Sequence, residues 1–183
     1  KWSEINMFII HGSSRENGNS ELLTNIMTDE ISKSEVYLRH KKINPITDQR
    51  HEPSGFQPVD DDYEEIVNEM LKHETIVFST PLYWYGMSGY MKNFIDRWSQ
   101  SLRNKELQFA DKMKTKKMYV VIVGGDQAKM KGLPLVLQFK HIFEFVGATF
   151  EGHIIGEGSS PGAILEDKLA IEHAKMFNEV LKK

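Results

Sequence analysis

The sequence predicts a doubly wound α/β domain, a parallel sheet of five strands with helices on both faces. Three observations predict it. Short runs that are apolar on both faces recur along the chain, helical periodicity fills the intervals, and no break in composition interrupts the alternation over 183 residues. A strand with no polar face must be covered on both sides, and connections long enough for a helix supply the cover. The length suits a single domain, residues 1–183, with a full core.

The first element is Met7-Phe8-Ile9-Ile10, a continuous apolar run bounded by Gly12-Ser13-Ser14 and suited to a central strand. Leu22, Leu23, Ile26, Met27 and Ile31 then recur at helical spacing, predicting a helix with Ser20 as its N-cap. Val36-Tyr37-Leu38 reads as a second strand. Ile43 to Pro58 holds three prolines and a glycine without a period, which predicts a long irregular connection. Asp60-Asp61-Asp62 opens a helix that buries Tyr63, Ile66, Val67, Met70 and Leu71. This acidic cluster reads as favourable charge at a helix N-terminus rather than a metal site. Thr75 to Ser79 is a third buried strand, ending at Thr80 because Pro81 follows. Met87 to Arg103 is largely helical, Met118 to Val123 is a fourth strand, and Pro134 to Val146 is a helix. Thr149 to Ile155 closes the sheet, and Ile164 to Leu181 is a final amphipathic helix.

Composition removes several function classes. A net charge of −3 supplies neither a basic surface for nucleic acid nor a strongly acidic docking face. The absence of cysteine excludes disulfides, thiolate metal sites, iron–sulfur clusters and thiol catalysis. His40, His51 and His73 are not paired at ligand spacing and read as surface or internally satisfied histidines. The basic run Lys112, Lys114, Lys116 and Lys117 reads as a solvated turn. No apolar run approaches the ~20 residues of a membrane helix. Lys1 to Asn6 shows no leader pattern, so the expected location is the cytoplasm.

In a doubly wound sheet, ligands sit beyond the C-terminal strand ends, at the point where strand order reverses. The loops after strands one, three and four are therefore the candidates. The first, Gly12 to Ser20, is rich in small residues and runs into a helix N-terminus, an arrangement suited to an anion. Ser13, Ser14 and Ser20 add hydroxyls, Asn17 and Asn19 add amides, and Arg15 adds a planar fork. A P-loop counted from Gly12 requires glycine at 17 and lysine at 18, where Asn17 and Gly18 stand. A dinucleotide fingerprint requires glycine at 14, where Ser14 stands. A single terminal phosphate suits the loop better than either. The second loop, Pro81-Leu82-Tyr83-Trp84-Tyr85-Gly86-Met87, is apolar enough to need cover by a flat ligand or another chain. In the third, Gly124-Gly125-Asp126, adjacent glycines permit close approach of backbone to a ligand.

These segments resemble the flavodoxin-like NAD(P)H-dependent FMN reductases, including the quinone and azo-dye reductases. Gly12 to Ser20 is similar to that family's Gly-Ser-x-Arg-x-x-Gly-Asn-Ser/Thr loop. Pro81 to Arg97 is similar to its Pro-x-Tyr stretch and the Gly-x-Leu/Met-Lys-x-x-Ile-Asp helix that follows. The resemblance implies a flavodoxin-like fold with strand order 2-1-3-4-5 and FMN as cofactor. It places Ser13, Arg15, Asn17, Gly18, Asn19 and Ser20 at the phosphate. Pro81, Leu82, Tyr83, Trp84, Tyr85 and Gly86 would border the ring, with Gly124, Gly125 and Asp126 opposite. NADPH or NADH would deliver hydride to the flavin, and a quinone, azo or nitro compound, or free flavin would accept the electrons. Tyr83, Trp84, Tyr85 and Met87 would shape the second-substrate pocket, and no side chain is named as a catalytic acid or base. Iron–sulfur relatives carry cysteines after strand two, where this chain has Ile43 to His51 without any.

Two other readings compete with this one. An electron carrier would bind FMN yet need a partner reductase, and a non-redox module would bind no flavin. A homodimer is also expected, from the apolar loop and from Tyr90, Phe94 and Trp98, which fall on one helix face.

Overall fold

A computed structural model describes residues 6–183. The expectation of no leader at Lys1 to Ile5 lies outside the described residues. Five strands form one parallel sheet in the order β2-β1-β3-β4-β5, namely β1 (Met7–His11), β2 (Lys33–Tyr37), β3 (Thr75–Pro81), β4 (Lys117–Gly124) and β5 (Thr149–Glu157). The order reverses between β1 and β3, so the connections leaving these neighbours pass over opposite faces and open a crevice at their C-terminal ends.

Alternation within β1 shows why both faces are covered. Phe8 and Ile10 enter the core beneath α2 (Tyr63–Leu71), α3 (Gly89–Asp96), α4 (Trp98–Arg103), α5 (Phe109–Met113), α6 (Ala128–Lys131) and α7 (Leu133–Val146). Met7 and Ile9 enter the opposite core, beneath α1 (Asn19–Met27) and α8 (Lys168–Leu181). Each fully buried side chain of this size contributes about 1.5–3 kcal/mol by leaving water. α2 buries the five residues its spacing predicts. α7 ends at Gly147, whose φ of 77° needs no Cβ penalty, and its N–H closes on the Glu144 carbonyl at 3.1 Å.

Several local expectations give way to tertiary contacts. Gly18, not Ser20, is the N-cap of α1, and Ser20 lies buried within the helix. Ile31 falls beyond the end of α1, and Leu38 leaves β2 to begin a 3₁₀ turn, Leu38–His40. β3 runs on through Pro81, which pairs in register with Val123. β5 likewise runs past Ile155 to Glu157, and a 3₁₀ turn, Ala163–Glu166, precedes the last helix. The predicted helix from Met87 to Arg103 is broken at Arg97 into α3 and α4.

Arg97, the residue at the break, is also a buried anchor. Arg97 turns inward and pairs with Asp61 at 2.6 Å, with the two side chains 2% and 1% exposed. It also donates to the carbonyl of Asn44 at 3.1 Å and lies 4.5 Å over the Tyr63 ring. Asp61 accepts the N–H groups of Asn44 and Tyr63 at 2.9 and 3.1 Å. The central member of the acidic cluster thus pins the long connection between Lys41 and Asp62, beyond its value to the helix dipole. Burial disfavours the Asp61 charge, but Arg97 and the two N–H groups outweigh it and hold its pKa low. The basic run is likewise more than a solvated turn. Lys116 is buried, its ammonium bonded to the Leu71 carbonyl at 2.7 Å, and burial lowers its pKa. Phe94 and Trp98 are core residues, so only Tyr90 of the expected dimer face is exposed.

Candidate functional site

The loop after β1 is built on backbone pairing. Gly12 donates to Ser79 at 2.8 Å, which extends the β1–β3 ladder into the loop. The Ser13 hydroxyl accepts the Arg15 N–H at 3.1 Å and donates to the Arg15 carbonyl at 2.9 Å, folding the chain tightly. Asn17 adopts a left-handed φ of 52°. Below, the Thr24 hydroxyl donates to the Ser20 carbonyl at 2.7 Å and meets Ser79 Oγ at 2.8 Å, fastening α1 to β3. Gly18 supplies no side chain to the first-turn N–H groups of α1, which leaves them free for an anion.

The loop after β3 is a tight hairpin. Tyr83 and Gly86 exchange two backbone hydrogen bonds of 2.9 Å, with Trp84 at φ 47° and Tyr85 at φ 65° between them. This turn ordinarily uses Asn-Gly, because bulky residues at positive φ cost about 1–3 kcal/mol each. Trp84 is 95% exposed, so packing does not offset the strain. The hairpin is tied on both sides. Tyr83 bonds Ser14 at 2.8 Å, and Tyr85 donates to Asp126 at 2.8 Å. Lys131 also reaches Asp126, at 2.6 Å, and holds its carboxyl below the usual range, with Tyr85 assisting. The same hydrogen bond to Asp126 raises the Tyr85 pKa.

Glycines in the loop after β4 set its close approach. A Cβ at Gly124 would lie 2.8 Å from that of Leu82, and one at Gly125 would lie 2.9 Å from that of Ser159. The loop after β5, unanticipated from sequence, closes the fourth side. Asn19 donates to the carbonyls of Gly158 and Ser160 at 3.3 and 2.9 Å, so its amide holds this loop. Gly158, Ser159 and Val123 join the site without having been predicted. The run Gly156 to Gly162 carries the same Gly/Ser signal as the other loops and could have drawn attention to it.

A hollow of about 240 Å³ collects the predicted residues Ser13, Arg15, Gly18, Asn19, Ser20, Pro81, Leu82, Tyr83, Gly124 and Gly125. Asn17 and Gly86 lie outside its lining. Trp84, Tyr85 and Asp126 instead border an adjoining hollow of about 230 Å³, which shares Leu82 and Gly125 with the first. Hydroxyls, an exposed guanidinium and an uncapped helix end suit a phosphate, and a glycine cradle that a Cβ would fill suits a flat ring. The residues fit FMN.

Fold and site together define a flavodoxin-like protein of the flavin-binding class. The chain belongs to the NADPH-dependent FMN reductase family, whose model matches residues 5–157. It is 46% identical, over 91% of its length and 92% of the relative's, to YwqN of Bacillus subtilis, whose name places it among NAD(P)H-dependent FMN-containing oxidoreductases. A solved Bacillus subtilis structure titled Trp repressor binding protein is 41% identical, with a TM-score of 0.80 over 93% of this chain and 99% of that one. An FMN-dependent NADH-azoreductase from Bacillus anthracis, solved with FMN, shares the fold at 12% identity, with a TM-score of 0.70 over 97% and 99% of the two chains. The protein is an oxidoreductase of that family. No helix among the described residues is long and apolar enough to cross a membrane.

Proposed function

We propose that the chain passes electrons from NAD(P)H, through FMN held by the loops after β1, β3 and β4, to a small planar acceptor. One observation carries the reading: three segments far apart in sequence converge on one hollow at the strand-order reversal. Bound FMN supplies the two-electron chemistry. The protein's own residues bind and orient. The α1 N-terminus, Arg15 and the Ser13 and Ser20 region take the phosphate, with Asn17, Gly18 and Asn19 shaping the turn. Pro81 to Gly86 and Gly124 to Asp126 border the ring. Trp84 and Tyr85 border the adjoining hollow, where a nicotinamide and then a quinone, azo or nitro compound, or free flavin would lie. A homodimer in the cytoplasm belongs to the same reading, the exposed aromatics Tyr83, Trp84, Tyr85 and Tyr90 being the surface a second copy would cover.

Anaerobic stopped-flow mixing of the FMN-loaded protein with NADPH or NADH tests this. Flavin absorbance should bleach rapidly and return when a quinone is added. Absorbance that stays oxidised without a partner reductase would identify a carrier instead.

A further inference from the structure

Glu21, in the first turn of α1, has a side chain only 5% exposed and does not line the hollow. Its Oε2 accepts the N–H of Asn17 at 2.9 Å, so the carboxylate holds the left-handed residue on which the loop turns. Its Oε1 is bound by Arg39, itself 10% exposed, which also lies 4.8 Å over the Tyr37 ring and reaches the Ser13 carbonyl at 3.5 Å. A carboxylate buried beside an anion loop opposes the anion, since like charges in a partly desolvated site repel more strongly than in water. The paired guanidinium cancels that charge.

We infer that Glu21 and Arg39 form a charge-balanced brace behind the loop Ser13–Asn17, Glu21 fixing its turn and Arg39 keeping Glu21 from repelling the ligand's phosphate. Both are positioning residues, because neither lines the site. The inference rests on the reading that this loop takes a phosphate. It makes an asymmetric prediction that a purely structural pair would not. Arg39→Gln leaves a buried negative charge facing the phosphate, whereas Glu21→Gln keeps an oxygen for the Asn17 N–H and removes that charge.

Flavin fluorescence quenching with flavin-free full-length protein, titrated with FMN and separately with riboflavin, tests the pair. FMN carries the phosphate and riboflavin lacks it. The wild type should prefer FMN. R39Q should lose tenfold or more of its FMN affinity with riboflavin affinity unchanged, while E21Q keeps or improves FMN binding. The double variant should recover most of the loss, and R39K, which keeps the charge, should retain the FMN preference even if R39Q folds poorly. A wild type that binds both flavins equally overturns the phosphate site and the brace together. A wild type that prefers FMN beside an R39Q that prefers it by the same factor, or a double variant no better than R39Q, overturns the brace alone.

Discussion

The Tyr83 hydroxyl meets Ser14 Oγ at 2.8 Å across 69 positions of sequence, joining the aromatic hairpin to the loop after β1. A side of the site is thus closed by one hydrogen bond between two exposed residues. Tyr83→Phe removes it while keeping the ring. A neutral hydrogen bond is worth about 1 kcal/mol, so FMN affinity should fall roughly fivefold with little change in stability. Fluorescence titration beside a urea melt checks this, and an unchanged affinity removes Tyr83 from the site's framework.

Trp84 is strained and almost wholly exposed. Trp84→Asn places a residue tolerant of positive φ at the tip and should raise unfolding stability by about 0.5–1 kcal/mol. The same change should raise the KM for a quinone acceptor, because the adjoining hollow loses its wall. Stability that falls in urea would mean that the tryptophan makes contacts its exposure conceals.

Gly124 leaves no room for a side chain against Leu82. Gly124→Ala must push Leu82 aside at the floor of both hollows, at a stability cost of about 1–3 kcal/mol. FMN affinity should fall at least tenfold, measured by fluorescence quenching. Retention of wild-type affinity would place the flavin elsewhere.

Asp61 and Arg97 are paired and buried, so removing one partner strands the other. Asp61→Ala should cost about 3–5 kcal/mol in a urea melt. The pH dependence follows from the depressed Asp61 pKa. A carboxylate with a folded pKa below its unfolded value contributes fully above the unfolded value of about 3.9, and that contribution drains away as pH falls further. Wild-type stability should therefore drop below about pH 4, and Asp61→Asn should show a shallower drop. Parallel acid profiles would remove this pair as the source.

The broad plan was legible in the sequence because its signals are local. Runs apolar on both faces mark covered strands, helical periodicity marks their cover, and Gly12 to Ser20 marks a candidate anion loop through residue types that are neighbours in the chain. Even the strained hairpin was visible as an aromatic segment, although not its left-handed turn, since Trp84 and Tyr85 give no propensity for one.

Tertiary structure alone decided what joins those parts. Asn19 reads as a phosphate ligand in sequence, yet its amide clasps Gly158 and Ser160, about 140 residues away. Arg97 sits inside a helical pattern, yet lies where the helix breaks and is buried against Asp61, 36 positions earlier. Glu21 is marked by no pattern in the sequence, yet is buried against Arg39 behind the candidate phosphate loop. Periodicity reports which way a side chain faces within its own element. Which distant group it meets there, and whether burial turns that meeting into a strong constraint, depends on packing between elements that no local pattern encodes.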